Sequence, residues 1–242
     1  MSGAVPGIAG CAEAIGEDIC VKNVSKAYGE EHVLCGFSCT IEAGGRYCLM
    51  APSGSGKTTL FRLISRMERA DEGSIEGAPE QIGMVFQEDR LCESYDTLTN
   101  IMLTMDWKGT GNQAFRRAKI AKKVREEAAR ILPEDCLTKP VSELSGGMRR
   151  RCAILRAMLS GADVIMMDEP FTGLDEENRR RTAAYIMEKL SGRTLIVTTH
   201  SEQDAELLDA VLLAYPGSIV TASGSRFVHR RQSADGAKVP CS

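Results

Sequence analysis

Residues 48–63 read CLMAPSGSGKTTLFRL. A short apolar strand runs into a glycine- and serine-rich loop, then into Lys57, Thr58, Thr59 and an apolar-patterned helix. This is nearly the phosphate-cradling arrangement G-x-x-x-x-G-K-[ST], except that Ala51 stands where the first glycine belongs. In such a loop the backbone N–H groups of Ser53, Gly54, Ser55, Gly56, Lys57 and Thr58, with the N-terminus of the helix, point inward at phosphate oxygens. Lys57 reaches the β and γ phosphates, and the Thr58 hydroxyl binds Mg²⁺. Ala51 supplies none of these groups, and its cost is on the order of 1 kcal/mol only where the position needs a positive φ. The cradle is therefore expected to hold a nucleotide. By itself it does not separate kinases, GTPases, motors and transport ATPases.

Working outward, ICVKNV, HVLCGFSCTI and RYCLMA are rich in branched and aromatic residues and read as strands, the last entering the loop. From about Leu91 to Leu159 the period changes. Phe115, Ala118, Ala121, Val124, Ala128 and Ile131 recur every three or four residues with Arg, Lys and Glu between them, which predicts a helical insert. Two apolar strands follow, DVIMMD and TLIVTTH, separated by the polar helix DEENRRRTAAYIMEKLSG. Strands alternating with helices predict an α/β fold: a parallel sheet behind the loop, an antiparallel β portion at the N-terminal end, and an inserted helical subdomain over about residues 90–160. Residues 18–225 form the expected domain. Residues 1–17 and 226–242 are small or polar and weakly periodic, and are expected to be loose ends.

Composition narrows the function classes. The formal net charge is -3, and the basic clusters at 116–117, 122–123, 149–151 and 179–181 lie among carboxylates or on expected helix faces, so nucleic acid is not an expected partner. No apolar run approaches the roughly 20 residues that cross a bilayer, and the N-terminus lacks a basic leader. The expected location is the cytoplasm, with any membrane role reached through a partner. The nine cysteines show no C-x-x-C pair and mostly sit in apolar surroundings, which predicts reduced buried thiols.

Further residues carry candidate chemistry. DVIMMDEP ends a buried strand in Asp168 and Glu169, where ligands bind in open α/β sheets; Asp168 can hold Mg²⁺ and Glu169 can polarise an attacking water. In VSELSGGMRRRCAILRAML, Ser145 with Gly146 and Gly147 ahead of a helix is an N-cap and a bare, electropositive helix end, which serves equally an anion or an ordinary cap. His200 ends TLIVTTH on a strand expected beside that of Asp168, near a terminal phosphate. Gln87 ends QIGMVFQ in the same manner.

Tyr28, APSGSGKTT, Gln87, LSGGM, VIMMDEP, GLD and His200, in that order, resemble the ATP-binding subunit of ABC transporters from about Ile19 to Ser223. FQEDRL, LSGGM and DEPF look like the branch that imports nitrate, sulfonates and taurine, although Cys92, Glu93 and Ser94 replace an apolar, aromatic run there. The resemblance implies ATP and Mg²⁺ as ligands, Tyr28 stacked on adenine, Gln87 sensing Mg²⁺ and the membrane partner, and Glu169 as catalytic base. It also implies Lys57 and His200 at the γ-phosphate and Asp175 at a dimer seam. Ser145, Gly146 and Gly147 would close over the nucleotide held by a second copy. Implied partners are a transmembrane permease, a second copy across ATP, and an extracytoplasmic solute-binding protein of the same system, with the chain peripheral on the inner face of the membrane. The departures are Ala51 and, in the signature, Met148 where Gln is commonest. A soluble ABC-type ATPase acting on DNA or ribosomes, which would carry long coiled coils or two fused cassettes, and a degenerate regulatory cassette are the other readings. Lys57, Asp168, Glu169 and His200 speak against the second.

Overall fold

A computed structural model describes residues 13–52, 54–105, 113–213 and the short strand at 227–228. In chain order the elements are β1 Ile19–Tyr28, β2 Glu31–Ile41, β3 Arg46–Leu49, α1 Lys57–Ile64, β4 Glu72–Glu76 and β5 Ile82–Val85. Then come α2 Thr97–Met102, α3 Gln113–Ala128, two 3₁₀ turns at Glu134–Thr138 and Val141–Glu143, and α4 Gly146–Met158. The chain continues through β6 Val164–Asp168, α5 Glu176–Leu190, β7 Thr194–Thr198, α6 Glu202–Leu207, β8 Val211–Leu213 and β9 Phe227–Val228. The fold is α/β, as the alternation of strands and helices implies.

A six-stranded sheet of order β5-β6-β7-β3-β8-β9 is parallel throughout, and an antiparallel sheet β2-β1-β4 lies beside it. Parallel strands are buried on both faces, so their sequences are continuously apolar while alternate residues serve different cores. On β6, Val164 and Met166 pack with Leu60, Phe61 and Ile64 of α1 and with the antiparallel sheet. Ile165 and Met167 face the other way, into the cluster built by α4 and α5. Tyr47 and Leu49 of β3 join the first cluster and Cys48 the second. Each fully buried aliphatic side chain is worth about 1.5–3 kcal/mol, so this alternation fixes the register of the central strands.

Register also sets the site. Asp168 pairs with Thr198, and Thr198 with Leu49, so one row across the sheet ends β6 and β7 beside the start of the phosphate loop. Strand order places β7 beside β6 as expected, and β7 separates β6 from β3.

The helical insert is shorter and more broken than its periodicity suggests. Val124, Ala128 and Ile131 are buried, but Phe115 is 74% exposed and Ala118 is exposed too, so the N-terminal half of the expected apolar stripe faces outward. A repeat of apolar positions records a face of a helix; whether another element covers it is decided elsewhere in the chain. The described cysteines are all free thiols. Burial pushes those of Cys48 and Cys152 up to about 12, which leaves them unreactive, whereas Cys35 and Cys92 are exposed. Of the expected loose ends, residues 13–17 and the pair Phe227–Val228 are described, and Ile15 N–H donates to Gly192 O at 3.0 Å. The rest lies outside the described residues.

Candidate functional site

The phosphate loop leaves β3 at Leu49 and enters α1 at Lys57. Gly54 and Gly56 both have positive φ, 80° and 89°, with Gly56 as the left-handed N-cap of α1. A side chain at either would be strained, so these two glycines are required by the turn itself. Ala51 is different. Positive φ among the described non-glycine residues is confined to Asn23, Arg66, Arg90, Glu169, Ser191 and Asp209, and the Ala51 methyl is buried in the core with Leu49 and Leu60. Alanine therefore fits here without backbone cost. Ser53 lies outside the described residues.

The buried Lys57 ammonium donates to the carbonyl oxygens of Ala51 and, at 2.9 Å, Pro52. It is folded over the loop it would line. Burial lowers its pKa, while Glu169 and Asp168 act the other way. Ser55 Oγ is buried with no hydrogen-bond partner, an orphan that a phosphate oxygen would satisfy. Thr59 is buried in the packed face of α1.

Asp168 is a buried carboxylate bridging two hydroxyls. Thr58 Oγ1 donates to its Oδ2 at 3.2 Å and Thr198 Oγ1 donates to its Oδ1. Among the described residues no three His, Cys, Asp or Glu side chains group into a metal cage. One hydroxyl and one carboxylate instead form a partial oxygen set of the kind Mg²⁺ completes with substrate phosphates and water, so the residues present fit that ion.

Glu169 has φ 49°, a left-handed conformation uncommon for a residue with a side chain and typical of sites where surrounding bonds over-determine the backbone. Those bonds are visible. Its N–H donates to Thr198 O at 3.1 Å and Thr198 Oγ1 at 3.2 Å, and its carbonyl accepts from Arg150 Nη2 at 2.8 Å. The side chain is turned toward His200, with Nε2 3.1 Å from Oε1. Burial raises the Glu169 pKa above the ordinary carboxylate range; His200 pulls it down and Asp168 pushes it up. A carboxylate made more basic in this way is suited to accepting a proton.

The signature segment forms a separate group. Ser145 caps α4, its Oγ accepting from Met148 N–H at 3.3 Å, and Ser145 and Gly146 are exposed. Gly146 has neither a positive φ nor any atom within 4 Å of where a Cβ would stand. Nothing inside the chain requires glycine there. With Gln87, Gly173 and Asp175, residues 145–147 line an open cleft of about 530 Å³ that no described phosphate-loop residue lines. Asp175 caps α5, accepting from Asn178 N–H at 2.8 Å. Met148, the departure in the signature, packs against the small cluster of Cys136, Val141 and Leu144.

The sequence-predicted residues thus fall into three places. Lys57, Thr58, Asp168, Glu169 and His200 come together around one row of strand ends. Gln87, Ser145, Gly146, Gly147 and Asp175 meet in the cleft. Tyr28 stands apart, 42% exposed, its hydroxyl donating to Glu68 and its ring 5.6 Å from the Lys26 ammonium. Sequence reasoning missed Thr198, whose only signal was a hydroxyl at the end of a buried strand, and Arg150, which looked like part of a solvated RRR run.

The chain is similar to known proteins in sequence and in fold. The family model for ABC transporters matches residues 34–172. The Nod factor export ATP-binding protein I of Burkholderia orbicola is 34% identical over 77% of this chain, which spans 64% of that relative's length. The L-cystine import ATP-binding protein TcyN of Bacillus subtilis is 31% identical over 89% of each chain. The dimeric, post-hydrolysis structure of the ATP-binding cassette MJ0796 bound to ADP and Pi superposes with a TM-score of 0.71 at 26% identity, covering 83% of this chain and 96% of that one.

The untroubled backbone at Ala51 generates a prediction. Ala51→Gly should change nucleotide affinity by less than about threefold, since tenfold would already require about 1.4 kcal/mol from a residue that makes no phosphate contact. Titration with a fluorescent ATP analogue measures it; a large gain in affinity would mean that the natural loop is impaired.

Proposed function

The chain belongs to the ABC transporter family, and on that premise we propose that it is the ATP-hydrolysing subunit of a solute importer. In this reading it works as a head-to-tail dimer on a separate transmembrane subunit, at the inner face of the membrane. The observation that carries the reading is the Asp168 row: the hydroxyl of the phosphate loop, a buried carboxylate and a basic Glu169 beside His200 converge where β3, β6 and β7 end.

Each residue then has a task. Backbone N–H groups of the loop and Lys57 hold the β and γ phosphates, and Tyr28 offers its exposed ring to adenine. Thr58 and Asp168 would hold Mg²⁺, which neutralises charge on the phosphates when bound, while Gln87, which lines the signature cleft, would sense the ion and the membrane partner. Glu169 accepts a proton from water at the γ-phosphate, and His200 holds the Glu169 carboxylate in place while facing the same phosphate. Ser145, Gly146 and Gly147 sit on a cleft of their own, and the bareness of Gly146, which nothing described within the chain explains, suits closure over the nucleotide of a second copy. The dimeric MJ0796 cassette lends this support.

Among the described residues no helix is long and apolar enough to cross a membrane; the proposal gives that task to a separate subunit. A groove of about 480 Å³ between α2 and α3, lined by Met102 and Leu103 among others, offers a docking place for it. Import draws support from the L-cystine import ATP-binding protein TcyN, which is matched over 89% of its own length; a solute-binding protein delivering cargo is a further part of the proposal.

Glu169→Gln tests the assignment. The variant keeps Asp168 and Thr58, so it should bind ATP and accumulate as an ATP-bound dimer in light scattering while turnover becomes very slow; hydrolysis near the wild-type rate would remove Glu169 as the base. The pH profile tests the neighbour. Activity needs Glu169 ionised, and His200 lowers the Glu169 pKa. Without that pull the pKa rises, so His200→Ala should move the acid limb of the rate profile to higher pH. An acid limb that stays in place or moves down would dissociate the two residues.

A further inference from the structure

Three arginines of α4 strap the segment that follows β5. Arg156 donates to Arg90 O at 2.9 Å and Asp89 O at 3.0 Å, and Arg149 Nη1 lies 3.3 Å from Glu93 Oε1. Arg150 does more. Its side chain is only 4% exposed, and Nη1 donates to Phe86 O and, at 2.9 Å, to Asp89 Oδ1. Its Nη2 donates to Asp168 O at 2.9 Å and Glu169 O at 2.8 Å. One planar guanidinium therefore ties the segment carrying Gln87 to the turn carrying Glu169, from the second turn of the helix that Ser145 caps.

We propose that Arg150 is a positioning residue that makes the orientation of Glu169 depend on where residues 86–89 sit. The inference rests on the reading that this chain hydrolyses ATP with Glu169 as base. The Glu169 peptide is pinned on its N–H side by Thr198 and on its carbonyl side by Arg150, and only with both held is its left-handed backbone fixed, hence the aim of its carboxylate. The guanidinium in turn is a buried charge whose acceptors are carbonyls on both sides and one carboxylate, Asp89. Its fork geometry satisfies both sides at once, and it cannot move with one side without straining the other. A partner that displaces residues 86–89 would be felt at Glu169 through this single rigid group.

Arg150→Lys replaces the planar fork with a point charge that serves one side, and Asp89→Asn removes the ionic arm while leaving the carbonyl bonds in place. Steady-state ATP hydrolysis by the purified chain, with binding of a fluorescent ATP analogue in a Glu169→Gln background, separates positioning from mere packing. The expected result for each variant is a kcat lowered at least about tenfold, because small displacements of a catalytic group are that costly. The KM and analogue affinity should stay within about threefold of wild type, and the double variant should be no slower than the worse single one, since both changes break one unit. Losses confined to KM or affinity, losses that multiply in the double variant, or an Asp89→Asn enzyme with wild-type kcat would overturn the proposal. Should Arg150→Lys fail to fold, Asp89→Asn decides alone by the same kcat criterion. A wild-type chain that does not hydrolyse ATP would instead sink the reading beneath it.

Discussion

The buried carboxylate of Asp168 is the constraint around which the rest is arranged. A charge withdrawn from water is tolerable only with donors at hand, and here the donors come from two other elements, Thr58 at the start of α1 and Thr198 at the end of β7. Satisfying one side chain thus requires β6, β7 and β3 to be neighbours in that order, in the register that aligns Asp168, Thr198 and Leu49. The apolar alternation of those strands secures that register from both faces. Core packing and the polar site are in this sense one specification.

The same row explains the unusual backbone of Glu169. Thr198 serves twice, donating its hydroxyl to Asp168 and accepting through that oxygen and its carbonyl from Glu169 N–H. The chain is thereby turned so that the second carboxylate leaves the sheet toward His200. Two adjacent acids acquire different environments: one is held by hydroxyls as a ligand in waiting, the other is partly desolvated and raised in pKa. That division of environment suits a division of roles between metal binding and proton transfer.

Much of this was legible in the residues because it is local. Strand, glycine loop, Lys-Thr and helix occupy consecutive positions, and the acids that end DVIMMDEP announce the catalytic edge of a parallel sheet. The neighbouring of β6 and β7 was legible too, from alternating strands and helices. What escaped reading depends on contacts between distant segments. Phe115 obeys the helical period yet faces outward, because no described element covers that end of α3. Arg150 and Arg151 read as solvent-facing charges in a basic run, yet both are buried, each finding carbonyl oxygens and one polar side chain contributed by other segments. The residues alone left the bare helix start at Gly146 open between an anion site and an ordinary cap; the structure adds that, beyond its chain neighbours and its own helix backbone, no described atom lies within 4 Å of where a Cβ would stand.

The phosphate loop and the signature segment occupy different places on one chain, and the account holds that each works with its counterpart on a second copy. The most direct measurement mixes two variants, Lys57→Ala, which keeps an intact signature, and Ser145→Arg, which keeps an intact loop, and compares ATP hydrolysis by each alone with that of the equimolar mixture. The account predicts two inactive proteins and a mixture that recovers activity, because mixed dimers contain one site built from the intact loop of one copy and the intact signature of the other. A mixture that remains inactive, beside a wild type whose rate per chain does not change with protein concentration, would contradict it.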